Sequence, residues 1–521
     1  MYWVDKVAKE ILESGKYIPY WVDDMKTPSG FAHIGALRGP VIHSLIYRAL
    51  RDLSKEAKLT FVINDFDPAD ELPPEFKEKY KDYLGFPLRK IPSPDSKYDS
   101  LGTLIAEDFK KVQLDLGVEA EFLSSYEMYR GGRFDGVIKE ALDNAEKIQD
   151  IYQKVSGSKK REKGWLPFQV ECEKCGKLGT TRVFAWDGKQ VSYKCEPDLV
   201  VWAQGCGYEG KITPFGGTGK LPWKVDWAAH WKVIGVTIEG AGKDHASAGG
   251  SYDIAMALCR EVFNYPEPYK LPYEWFIVGG RKMSSSKGIG FKAHDITSIF
   301  PPALARFLFV RTDYRESIEF NPVGTMVISD IFDDYDKCWQ AYNNDSDPNL
   351  SRVFVLSQIK DISQRKKIFL PRFRDVANYL QLAENLQEKF EEIKGEKLNE
   401  YELKILSERE KYAKIWLEKY ASNDFKLVFS EKLSEGAKKL DVKQKEYLSK
   451  IIDLINKSDR PEELQLSLYN LSKEIKLDSK KAFSAIYQTF IGKDHGPRAA
   501  WFLLSHPKEK VIKRLKEVSK A

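Results

Sequence analysis

Apolar positions near the start of the chain change period twice within a short span. Trp3, Val7 and Ile11 fall four apart, as on one face of a short amphipathic helix. Asp5, Glu10 and Glu13 interrupt that stretch, so a secretory leader is not expected there. Tyr17 to Val22 then reads as a short strand, and Thr27-Pro28-Ser29-Gly30 as a turn-rich loop. Leu37, Val41, Leu45, Ala49 and Leu53 return to fourfold spacing and predict a helix. Pro40 lies near its start, where a missing N–H costs little. Leu59 to Ile63 is a β-rich apolar run that ends in Asn64-Asp65-Phe66-Asp67-Pro68. Strand, helix, strand in this order predicts a βαβ unit on a parallel sheet, hence an α/β fold.

From about residue 72 to 95 the chain is rich in proline and charge, and reads as a connection leaving the sheet. Sheet-like text returns at Trp231 to Ile238 and at Tyr273 to Val278, with a helix expected between them from Gly249 to Phe263. Beyond about residue 345 strand signals vanish and long charged, helix-forming stretches take over. The expected organisation is a sheet domain in two halves (1–90 and 220–300), an insertion (91–219), a connecting stretch (301–345) and an all-helical region (346–521).

Composition changes this picture little. The 521 residues are 42% hydrophobic and 31% charged, as in a soluble globular protein of several domains. No run approaches the roughly 18 apolar residues of a membrane span, and a cytoplasmic location is expected. Lys and Arg number 82 against 77 Asp and Glu, a net of +5 that neither demands nor excludes nucleic acid. Of six cysteines, Cys172, Cys175, Cys195 and Cys206 cluster and suggest a structural Zn²⁺ in an insertion too small to bury its own core. Cys259 and Cys338 stand alone and read as core residues.

Two loops carry candidate chemistry. The first is Thr27-Pro28-Ser29-Gly30-Phe31-Ala32-His33-Ile34-Gly35-Ala36, between a strand and the helix after it. That is where an open parallel sheet places ligands, and helix-terminal N–H groups with an imidazole can hold a nucleotide's phosphates. The second is Arg281-Lys282-Met283-Ser284-Ser285-Ser286-Lys287-Gly288, after Gly279-Gly280, whose lysines and hydroxyls suit a triphosphate with charge growing on the leaving group. The stretch from 221 to 252 adds Trp223, Asp226, Trp227, Asp244, His245 and Tyr252, and Tyr273 and Glu274 follow. Such acidic and aromatic groups can compensate a buried ammonium.

TPSGxxHIG followed far downstream by KMSxSKG resembles the paired signature loops of class I aminoacyl-tRNA synthetases. Phe61 to Pro68, Leu221 to Trp227, and Gly242-Lys243-Asp244-His245 with Gly249-Gly250-Ser251-Tyr252 resemble the class I lysyl-tRNA synthetase family specifically, and Leu370 to Phe373 and Gly492 to Arg498 are similar to it too. The resemblance implies a Rossmann-like parallel-sheet catalytic domain with a zinc-binding insertion, a stem-contact region and a helical anticodon-binding domain. It implies activation of lysine with ATP and Mg²⁺, transfer to tRNA, and no membrane. A monomer is favoured.

By that resemblance His33, Lys282 and Lys287 are catalytic. Pro28, Ser29, Gly30, Gly35, Ala36, Met283, Ser284, Ser285 and Ser286 join His33 and Lys287 around ATP. Thr27, Trp223, Asp226, His245 and Tyr273 surround lysine, and Arg498 contacts tRNA. A glutamyl- or glutaminyl-type enzyme, or an inactive tRNA-binding paralogue, is the alternative. The chain departs from the family at Ala36, where a polar side chain is usual, and at Asp23-Asp24-Met25-Lys26, before the first loop. Asp95 and Asp99 lack the histidine or cysteine that a second metal site would need.

Overall fold

The computed structural model describes residues 1–157, 164–282, 290–360, 368–381, 385–423, 425–427, 429–496 and 498–520, without the side chains of 281 and 282. The chain divides into two compact units, Met1–Phe320 with Lys337–Arg365, and Asn321–Asp336 with Lys366–Ala521.

A five-stranded sheet forms the centre of the first unit. Its strands, numbered in chain order, are β1 (Tyr20–Lys26), β2 (Ala57–Ile63), β3 (Glu121–Ser124), β4 (Ile238–Gly242) and β5 (Tyr269–Tyr273). Their spatial order is β5-β4-β1-β2-β3, and every pairing is parallel. In such a sheet the chain leaves β1 for β2 on one side and β4 lies on the other. The crevice above the carboxyl ends of β1 and β4 is the topological switch point, where this architecture binds ligands.

The βαβ unit forms as expected, with the helix at Arg38–Asp52. β1 runs further than the expected strand, through Asp23, Asp24 and Lys26, because the two aspartates are buried and Lys26 half-buried at the end of a central strand rather than marking a loop. The run from Trp231 to Ile238 is not a strand. Trp223–Ile234 is a helix and β4 begins only at Ile238. That helix is buried nearly all round, so its apolar positions show no clear period. β3 lies in the stretch expected to be insertion and joins the five-stranded sheet beside β2. Four half-exposed residues at a sheet edge give the sequence no signal.

The cysteine region is an insertion, with antiparallel strands Thr181–Trp186, Val191–Cys195 and Glu209–Ile212. Gln169–Val170 and Gly219–Lys220 pair where it leaves and rejoins the sheet domain. A small second sheet pairs Phe276–Val278 with Arg281–Lys282 and with Ile318–Glu319. Residues 337–365 belong to the first unit, not to the helical region from 346. Arg352 pairs with Asp5 at 2.7 Å and Asp52 at 2.8 Å, and Arg306 donates to the Leu356 carbonyl at 2.8 Å.

The second unit is helical, with no strand among its described residues. Asn399 with Glu402, and Asp441 with Gln444, form reciprocal caps that satisfy orphan N–H groups and start two of its longer helices. Tyr447, Leu448, Ile451, Leu464 and Leu468 lie in its core. No described helix is long and apolar enough to cross a membrane.

Candidate active site

A cleft of about 790 Å³ opens above the carboxyl ends of β1, β2, β4 and β5. Thr27, Ser29, Trp223, His245, Tyr273 and Asp24 line it. Trp223 is 44% exposed and stacks on Trp227 at 6.2 Å, the two lying one turn apart on the same helix. His245 stands edge-on to both rings, at 5.7 and 5.9 Å. Trp227 is locked from behind, because its Nε1 donates to Glu239 Oε1 at 2.9 Å and Trp231 Nε1 takes the other oxygen. An indole N–H with a buried acceptor fixes the ring plane presented to a ligand.

Thr27 is held just as firmly. Its hydroxyl donates to Asp67 Oδ2 at 2.6 Å, and the Asn64 amide donates to the same oxygen at 2.9 Å. Lys220, fully buried at the exit of the insertion, closes the network with Asp67 Oδ1 at 2.5 Å, Asp226 Oδ2 at 2.9 Å and Asn64 Oδ1 at 3.2 Å. Burial works against the charge on Lys220, but Asp226 and Asp67 outweigh it and its pKa is raised. Burial likewise opposes the Asp226 charge, and His230 and Lys220 outweigh it, so that carboxyl sits below its ordinary range.

This placement corrects one expectation. Asp226 does not line the cleft: it is 1% exposed, with its oxygens taken by Lys220 and, at 2.5 Å, the Tyr129 hydroxyl. Nothing in the sequence shows that Lys220 is buried and claims it.

The first loop meets the segment that follows the second. His33 faces Lys292 across an antiparallel bridge, Ile34 N donates to the Phe291 carbonyl at 2.9 Å and Ala293 N to the Ala32 carbonyl at 2.6 Å. At the other flank of the second loop, Lys282 pairs through its backbone with Ile277. Met283, Ser284, Ser285, Ser286 and Lys287 lie outside the described residues. Gly35 and Ala36 form the single 3-10 turn Ile34–Leu37 that leads into the Arg38–Asp52 helix. Pro28 and Gly30 roof a smaller apolar cavity beside the cleft.

In the insertion, the sulfurs of Cys172, Cys175, Cys195 and Cys206 lie within 4.8 Å of one another. Cys172 and Cys206 are 3.7 Å apart, as are Cys175 and Cys195. The edge of a tetrahedron with Zn–S near 2.3 Å is about 3.8 Å, so the donor set and spacing fit Zn²⁺. Gly176 and Gly207 take φ of +76° and +77°, the left-handed turn that lets the chain fold back after a cysteine. Asp95 and Asp99 join no cluster of three or more metal-ligating groups among the described residues.

The sequence matches the family of class I tRNA synthetases for lysine, described as "tRNA synthetases class I (K)", over residues 1–360. The chain belongs to this family. Similar proteins include a lysine–tRNA ligase of Archaeoglobus fulgidus, 33% identical with 99% of each chain covered. Another is a lysine–tRNA ligase of Methanocaldococcus jannaschii, 34% identical with 99% of each covered. Among solved structures, a glutamate–tRNA synthetase of Elizabethkingia anophelis aligns over 96% of this chain and all of that one, at 12% identity and a TM-score of 0.43.

In this class I synthetase sequence reasoning missed three groups. Asp24 sits on the floor of the cleft, and Glu239 on β4 anchors the tryptophans. Arg38 opens the helix after the first loop and is 3% exposed. Its guanidinium donates to the carbonyls of Asp313 and Tyr314 at 3.2 Å, of Glu316 at 2.5 Å and of Trp275 at 3.4 Å. The tetrapeptide that drew attention to the loop ends before Arg38, and only tertiary contacts show what it does. In the helical unit Arg498 is an exposed N-cap, 5.1 Å from the Trp501 ring.

Proposed function

We propose that this chain activates lysine with ATP and joins it to the 3′ end of tRNA. The observation that carries this is a family match over residues 1–360 that includes both walls of the cleft, with near-full-length relatives named as lysine–tRNA ligases.

An oxygen of the lysine carboxylate attacks the α-phosphorus of ATP. The bond to the bridging oxygen of the β-phosphate breaks, and pyrophosphate leaves with its electron pair. A ribose hydroxyl of the terminal adenosine then attacks the acyl carbon, AMP departs and the hydroxyl proton passes to solvent. No covalent enzyme intermediate is needed, so catalysis is positioning plus charge stabilisation.

Pro28, Ser29, Gly30, Gly35 and Ala36 receive the nucleotide through backbone groups, with His33 at its phosphates. Lys282 and Lys287 neutralise the departing pyrophosphate, with Met283, Ser284, Ser285 and Ser286 carrying them. Mg²⁺ bound to the triphosphate supplies further charge. Thr27, Trp223, His245 and Tyr273 hold lysine, and Zn²⁺ in the cysteine cluster holds the insertion together. The helical unit grips the anticodon loop, with Arg498 as a contact to the tRNA.

The test is lysine-dependent exchange of labelled pyrophosphate into ATP, with and without tRNA, against the other amino acids. Exchange with lysine alone supports the reading. Silence in every arm, from folded protein that still binds tRNA, would make this a tRNA-binding protein without the activity, and Ala36 the first residue to restore to a polar side chain.

A further inference from the structure

The floor of the cleft holds a carboxylate without a full counter-charge. Asp24 stands on β1, 9% exposed, and its Oδ1 accepts the N–H of Met25 at 2.9 Å. Its Oδ2 lies 3.5 Å from Nδ1 of His43, a ring buried completely. That ring is already engaged at both nitrogens. Nδ1 donates to the Gly39 carbonyl at 2.7 Å, and Nε2 accepts the Gly240 N–H at 2.7 Å.

A ring nitrogen that accepts an N–H carries no proton, so this bonding pattern assigns the neutral tautomer. Burial opposes and Asp24 favours a second proton on His43, with the net direction upward. Such a proton would have to break the bond from Gly240, so His43 screens Asp24 without neutralising it. Lys26, two residues along the strand, lines both the cleft and the apolar cavity with Phe61, Ile105 and Phe109, and burial lowers its affinity for a proton despite Asp24.

Space at this carboxylate is kept open by a glycine. A β-carbon on Gly39 would lie 2.7 Å from Asp24 Oδ2 and 2.8 Å from the Tyr273 hydroxyl. Both oxygens therefore converge over a bare turn of helix, where alanine would otherwise favour the helix. Four carboxyl side chains, Asp24, Asp67, Asp70 and Glu239, line the cleft against two strong bases, Lys26 and Arg182. Glu239 also lines the cleft, and burial followed by the neighbouring Asp23 pushes its pKa well up. This end of the cleft is built to receive a cation.

We propose that Asp24, with the Tyr273 hydroxyl beside it, receives the side-chain ammonium of the amino-acid substrate and is a specificity-determining residue of this enzyme. The inference rests on the reading of the cleft as a lysine site. An ammonium gives the buried carboxylate a charge-assisted hydrogen bond, while the indole of Trp223 can offer its face to the same substrate. A neutral analogue such as norleucine leaves Asp24 unpaired, and glutamate sets like charges together.

The experiment is pyrophosphate exchange by the full chain with tRNA present, comparing wild type with Asp24→Asn and Gly39→Ala. Asp24→Asn keeps the shape and removes the charge, whereas Gly39→Ala keeps the charge and fills the space. The expected result for Asp24→Asn is a rise in KM for lysine on the order of 100-fold, with KM for ATP within about threefold and the melting temperature unchanged. Gly39→Ala moves the same way. Norleucine, a poor competitor of lysine in the wild type, gains ground in Asp24→Asn.

A lysine KM within about threefold of wild type in folded Asp24→Asn overturns the proposal. Should that variant not fold, Gly39→Ala and Tyr273→Phe decide, and an unchanged lysine KM in both overturns it equally. A wild type that activates some other amino acid and not lysine overturns the reading of the cleft itself, before any variant is compared.

Discussion

His33 and Lys292 face each other across a single antiparallel bridge, although the chain travels through the whole sheet domain and its insertion between them. The bridge joins the first signature loop to the downstream flank of the second, and strand pairing of Lys282 with Ile277 anchors the upstream flank. The first loop and the segment that follows the second are therefore held in register by backbone hydrogen bonds.

On the role proposed for Lys287 at the departing pyrophosphate, Lys287→Ala should slow adenylate formation by about 100- to 1000-fold, the usual loss when one charge-stabilising group is removed. Its affinity for tRNA should stay close to wild type. Single-turnover adenylate formation and a tRNA-binding titration measure the two. Equal losses in both would remove Lys287 from the chemistry.

Lys220 is the second point of leverage. Replacing it by methionine leaves the buried Asp226 and the half-buried Asp67 without their counter-charge, which should cost about 3–5 kcal/mol of stability. Thr27 would loosen through Asp67, so the lysine KM should rise as well. Asp226→Asn should lower the melting temperature with little change in lysine KM, as befits a carboxylate behind the cleft. The pKa of Asp226 is lowered on folding, so its contribution is present above the unfolded value of about 4 and is lost as pH falls through the folded one. A large lysine KM effect for Asp226→Asn at unchanged stability would return that residue to the substrate.

Much of this was legible in the sequence. Fourfold and β-rich apolar spacing located the βαβ unit, and Thr27 and Ser29 of the first loop are brought to one cleft with Trp223, His245 and Tyr273 by the fold. What escaped follows a common cause. Asp24, Lys220, Glu239 and Arg38 are polar residues whose meaning lies in being buried, and hydropathy reads them as surface. Asp226 failed in the opposite sense, since a plausible ligand by chemistry was already claimed by a lysine brought from the insertion. The helix Trp223–Ile234 was mistaken near its end because a helix apolar on every side has no period to detect.

The cysteine cluster makes an independent prediction. Protein purified without chelator should carry about one Zn²⁺ per chain, and Cys172→Ser or Cys195→Ser should lose it, since a tetrahedral thiolate site tolerates few substitutions. Removing the metal should unfold the insertion, visible as new protease cleavage between residues 170 and 212. Metal content by mass spectrometry and limited proteolysis check both. Full metal in either serine variant would mean that the cluster is a set of reduced thiols.

Arg38 supports the active site from below. One guanidinium satisfies four carbonyls, those of Trp275, Asp313, Tyr314 and Glu316, and so ties the helix after the first loop to the strand that leads into the second. Lysine carries the charge but not the planar fork, and cannot reach the same set. Arg38→Lys should therefore lose about 1–3 kcal/mol of stability for the carbonyls left without a donor. It should also lower kcat for pyrophosphate exchange and raise KM for lysine together, because Arg38 adjoins Gly39 and holds the carbonyl of Trp275, close in the chain to Tyr273, and both Gly39 and Tyr273 flank Asp24. Arg38→Met should do both more severely. Thermal melts and both kinetic constants decide the matter: an Arg38→Lys variant that melts and turns over like wild type would show that charge at this position suffices and that the four-carbonyl anchor is not needed.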